Sequence, residues 1–149
     1  MNWTTLAFLS ALFAGLTAVL AKVGIENVPS NLATLIRTVV IVGFAGAIVA
    51  GRGELSRIGE VSGRSWGFLV LSGVTTGLSW LCYFAALKLG PVSGVVPIDK
   101  LSFLIAMTLG FIVLGEKVRP LTIMGAVLIA AGVLLTIPSV QEKLTRAVH

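Results

Sequence analysis

Five apolar stretches set the terms for this chain: Trp3–Ala21, Leu32–Ala50, Trp66–Leu87, Val92–Leu114 and Leu121–Ile137. Each holds close to the roughly 20 residues that a helix needs to cross a bilayer. Only helices and closed barrels satisfy their backbone in hydrocarbon, and continuous apolar runs of this length read as helices. With 11% charged residues and a mean hydropathy of +1.03, the chain lies far from the roughly 25% charge of a soluble domain. The expected fold is therefore all-α, an integral membrane bundle of five transmembrane helices over residues 1–138, with a tail over 139–149. Trp3–Ala21 has no basic stretch before it and is too long for a signal core, so it reads as a first span rather than a cleaved leader.

The net charge of +5 is eleven Lys and Arg against six Asp and Glu, and the basic residues are scattered singly, nine of them outside the apolar stretches. They form no basic face interleaved with aromatics, so nucleic acid is not the expected partner; lipid headgroups are. With the side of residue 1 called A, Arg52, Arg57, Arg64, Lys117 and Arg119 fall on side A. Lys22, Lys88, Lys143 and Arg146 fall on side B. Five against four is nearly no orienting bias, with the excess favouring a cytoplasmic side A. Cys82 stands alone, which excludes an internal disulfide.

The connections are short except Gly51–Ser65, where Leu55 and Ile58 suit one turn lying in the interface. Ser30 or Asn31 is expected to cap the second helix. In the tail, Val140, Leu144 and Val148 share a face, with Glu142 and Arg146 four apart. That pattern predicts an interfacial amphipathic helix.

Inside the fourth span lies Pro97-Ile98-Asp99-Lys100-Leu101-Ser102. A carboxylate and an ammonium at this depth cost several kcal/mol unless paired or wetted, and such groups usually mark a site or pathway. Pro97 has no N–H for the carbonyl of Ser93, so a kink is expected. Arg37 sits at a similar depth in the second span, about 9 to 12 Å from side B. On the third span Ser72, Thr76, Ser79 and Tyr83 share one face, and Trp80 and Tyr83 fall in the same layer. One layer thus collects Arg37, Trp80, Tyr83, Asp99 and Lys100, with Ser79 and Thr76 beside it as candidate substrate contacts. Two cations to one anion favour an anionic or zwitterionic small molecule.

Plainer roles compete for each residue. Asp99 suits an ion pair with Arg37 or Lys100, although neighbours about 100° apart on a helix do not readily face one partner. Arg37 suits a helix staple or snorkelling to side B. Trp80 and Tyr83 also suit an interfacial belt, and Glu116 suits solvent or its neighbours Lys117 and Arg119. Gly73 with Gly77, Gly90 with Gly94, and Gly125 to Gly132 offer close helix contacts. Nothing resembles catalytic or metal chemistry: the one histidine is His149, and no Cys/His cluster, phosphate loop or paired intramembrane carboxylate occurs. No cofactor and no enzyme activity are expected.

The run Leu114-Gly115-Glu116-Lys117, then Pro120 and Met124–Leu135, resembles the end of an EamA domain, the repeat unit of the drug/metabolite transporter superfamily. Ala85–Ser93 with Pro97 resembles its junction between the third and fourth helices, and Ala33–Thr38 its second helix. The usual members carry two inverted repeats in ten helices, whereas this chain carries one. The resemblance implies a secondary transporter of a small metabolite in the cell (inner or plasma) membrane. A single copy implies an inverted homodimer with its site near the midplane. A non-transporting assembly subunit and a flippase for a lipid-linked anion are the alternatives.

Overall fold

The structure, a computed structural model, describes residues 2–148, with side chains to residue 146. The helices are α1 (Trp3–Gly24), α2 (Ser30–Gly51), α3 (Gly63–Leu89), α4 (Val92–Asp99), α5 (Ser102–Leu114), α6 (Pro120–Leu135) and α7 (Pro138–Val148). A 3-10 helix, Glu54–Glu60, joins α2 to α3. No strand occurs among the described residues. The protein is an all-α membrane bundle. Four spans, α1, α2, α3 and the α4–α5 run Val92–Leu114, are long and apolar enough to cross a bilayer. The fifth is different. α6 has 16 residues, about 24 Å of rise against a core of about 30 Å, and meets α7 at a 79° bend. It reaches spanning length only if that bent pair counts as one span.

The chain forms two compact units, Met1–Leu89 and Gly90–His149. In the first, every buried residue lies at the side B ends: Ala18, Ala21 and Ile25 of α1 and its following turn, Thr34 of α2, and Phe84 and Leu87 of α3. Lipid is as apolar as leucine, so area burial alone does not hold membrane helices together; close packing and hydrogen bonds do. Both are found at this end. Lys22 donates from Nζ to the carbonyl of Leu87, and Lys88 donates to the carbonyl of Val28 at 2.8 Å. A helix leaves its last carbonyls unpaired and negative, so Lys22 at the end of α3 is a cation placed where charge and orphan acceptor coincide. The side A halves of these helices bury nothing, and Phe13, Phe44 and Phe68 are all more than 60% exposed.

The helix ends follow local chemistry. Asn2 caps α1 by accepting from the Thr5 N–H at 3.0 Å. α2 starts one step earlier than the expected cap at Ser30 or Asn31. Pro29 is the N-cap, with φ −56° and ψ 134° and no side-chain bond, and its carbonyl accepts from Ala33. The fixed proline φ presets the entry, and Ser30 becomes the first helical residue, its carbonyl taking the Thr34 hydroxyl instead. Gly53 (φ 68°) and Gly115 (φ 67°) adopt the left-handed conformation after α2 and α5. At the second, Glu116 donates its N–H back to Gly110, closing the helix in a Schellman-like turn. In the second unit α4 packs against α6, whose Ala126 and Val133, two turns apart, are buried. On α7, Leu144 is half exposed; the Val148 side chain and His149 lie outside the described residues.

Candidate functional site

In the second unit the fourth span breaks where its charges lie. α4 carries Pro97 internally and ends at Asp99, and α5 begins at Ser102. The hydrogen bonding tightens there from four-residue to three-residue steps. The Lys100 N–H is shared between the carbonyls of Val96 and Pro97, Leu101 donates to Ile98, Phe103 to Lys100 and Leu104 to Leu101. The disruption thus falls three residues beyond the proline. Two half-helices meet at a 3-10 turn, and that turn carries the ion pair: Lys100 Nζ lies 3.4 Å from Asp99 Oδ2. Neighbouring side chains diverge around a helix, but the four-carbon lysine stem folds back far enough to reach. Asp99 is one-third exposed and Lys100 more than half, so the pair is open on the surface of its unit.

If this break is the bending point of the cycle, Pro97→Ala restores a donor for the Ser93 carbonyl and strengthens the run. The expected variant melts higher, by about a few degrees, and turns over several-fold more slowly with nearly unchanged ligand affinity. Uptake rate and binding measured in the same vesicles check this; unchanged turnover would place the moving part elsewhere.

In the first unit Arg37 is the centre. It lies seven residues into α2, about 10 Å along the helix, and its guanidinium carbon sits 4.8 Å from the Phe84 ring centroid. Tyr83 meets Phe84 edge to face, centroids 5.5 Å apart. A desolvated guanidinium over an aromatic face gains about 2 kcal/mol or more. Arg37 Nε is buried with no hydrogen-bond partner, a costly state for a cationic donor. Trp80 is half-buried, while Ser79 and Thr76 are exposed on α3. Thr76 donates its hydroxyl to the Ser72 carbonyl at 2.8 Å, which leaves the oxygen as an acceptor.

Two clusters result. Arg37, Tyr83 and Phe84 come together in one unit; Asp99 and Lys100 come together in the other, on the span that holds Pro97. Phe84 is not among the residues singled out from the sequence, although its position four after Trp80 was a usable signal. Lys22 and Lys88, read above as headgroup charges, also donate to backbone carbonyls of neighbouring segments.

A family model described as the EamA-like transporter family matches residues 1–137. The chain is 52% identical over 134 residues to an uncharacterized transporter in the cobO 3′ region of a Sinorhizobium species, covering 90% of this chain and 95% of that protein. No solved structure matches.

Proposed function

Because the chain belongs to the EamA-like transporter family, we propose that it acts in the cell membrane as an inverted homodimer, a secondary transporter with its site near the midplane. The cargo is a small polar or amphipathic metabolite, anionic or zwitterionic. That the chain is a multi-pass membrane transporter is the premise; the pairing, the site and the cargo are the reading built on it.

The observation that carries the reading is the broken fourth span with Asp99 and Lys100 at its break. Discontinuous helices whose freed ends and charges face the substrate are how secondary transporters build sites at membrane depth. Three further observations favour a pair. The relative is matched over 95% of its length, so one repeat is nearly all of that protein. The loop charges nearly balance, as insertion in both orientations requires. The side A halves of α1 to α3 bury nothing, leaving room for a second copy to complete the pathway.

The test is counterflow in vesicles reconstituted with purified protein. Vesicles preloaded with one member of a panel of short carboxylates and zwitterions are expected to accumulate the labelled form of that member without nucleotide. No accumulation for any panel member by fully inserted protein would contradict the reading, and recovery from native membrane bound to a different protein would favour an assembly subunit.

A further inference from the structure

We propose that the first unit holds a binding cleft for the carboxylate of a small apolar-bodied monoanion, with Arg37 as its anchor. This rests on the transporter reading above and names the chemical class of its cargo. A cleft of about 210 Å³ lies between the end of α1 and the start of α2, with Gly24, Ile25, Ala33, Ile36, Arg37 and Phe84 among its walls. That is room for about seven waters, or a short acyl chain. Arg37 is the one charged group lining it.

The chemistry of the wall selects the ligand. Phe84 occupies one face of the guanidinium, so the edge remains for recognition. Nε is buried and lacks a hydrogen-bond partner, so the terminal Nη groups of Arg37, which lines the cleft, are the donors within a ligand's reach. A carboxylate meeting the fork end-on accepts from the two Nη groups in a bidentate arrangement of the kind that arginine favours. A dianionic phosphate would need a second cation, and the cleft supplies none; the remaining lining is apolar and suits a hydrocarbon body.

An independent feature points the same way. A second cavity of about 420 Å³, which shares Ile25 with the cleft, is lined by Lys22, Glu26 and Lys88. At this end of the unit Lys22, Lys88 and Arg37 therefore face a single carboxylate, Glu26. The two lysines are held by backbone carbonyls. A positively biased approach raises the local concentration of anions, and the cleft receives them.

The probe is sodium hexanoate, titrated at neutral pH, where it is ionised, into the full chain in phosphatidylcholine nanodiscs and followed by calorimetry. Hexanoate is expected to bind, while hexan-1-ol and hexylamine bind far more weakly. Arg37→Gln is expected to weaken hexanoate by about tenfold or more, the scale of a charge-assisted bond. Should that variant fold poorly, Gly24→Leu serves instead. Gly24 lines the cleft and a Cβ there meets nothing within 4 Å, so the larger side chain takes up cleft volume and is expected to weaken hexanoate by about tenfold or more as well.

Absence of hexanoate binding, equal binding of hexanol, or hexanoate affinity unchanged in both variants would overturn the assignment. Loss of hexanoate binding once phosphatidylglycerol is added would give the cleft to a lipid headgroup and overturn it as well. The outcome is separable from that of counterflow: binding without exchange removes the transport cycle but keeps the cleft, and exchange without Arg37-dependent binding does the reverse.

Discussion

Asp99→Asn is expected to reduce transport by about 100-fold while the protein still inserts and pairs. Asp99 is the partner of Lys100, at 3.4 Å, on the turn between two half-helices. Removing its charge leaves an ammonium without its counter-ion at membrane depth, where an uncompensated lysine costs about 2.5 to 3.5 kcal/mol. Lys100 then has reason to withdraw towards side B, and the site loses both the carboxylate and the position of the cation. A change of about 2.7 kcal/mol corresponds to roughly 100-fold. The double variant Asp99→Asn with Lys100→Gln separates two meanings of the pair. If the charges only neutralise one another, the uncharged pair regains transport; if the carboxylate or ammonium engages cargo or a coupling ion, the double variant stays inactive. Uptake in vesicles, normalised to inserted protein, decides between them. Normal transport by the single variant would remove Asp99 from the site altogether.

The spans were readable because their signal is local. A run such as Trp66–Leu87 is apolar from end to end, and α3 extends it by only a few residues at each end. The charged break was half readable. Proline and two charges in one span mark a disruption, but whether the backbone yields at Pro97 or at Lys100 depends on how carbonyls from Val96 to Leu101 share donors, which composition does not encode. The Arg37 platform was the least readable part. Residues 37 and 84 stand far apart in the chain, and only the convergence of α2 and α3 at side B sets the guanidinium over Phe84. The same holds for Lys22 and the Leu87 carbonyl, 65 positions apart. Depth alone placed Arg37 and Asp99 in one layer; the structure puts each in its own compact unit, with its own partner.

The second large effect concerns orientation. With the α6–α7 pair counted as a fifth span, side A carries Arg52, Arg57, Arg64, Lys117 and Arg119 and side B carries Lys22, Lys88, Lys143 and Arg146, so insertion has little to choose between the two directions. Moving one arginine is expected to swing most of the population to one orientation and, since the proposed inverted pair needs both, to abolish transport with the fold intact. Lys22 and Lys88 should be left alone in such a design, because they are tied to backbone carbonyls. The direct measurement is single-cysteine labelling. Cys82, which is exposed, is replaced by serine, and Leu89, 91% exposed at the side B end of α3, becomes the one cysteine. Intact cells are treated with a membrane-impermeant maleimide, and the reaction is repeated after permeabilisation. An inverted homodimer requires about half of the molecules to react from outside and the remainder only after permeabilisation. Labelling that is essentially complete before permeabilisation, or essentially absent until it, would fix one orientation and contradict the inverted pair.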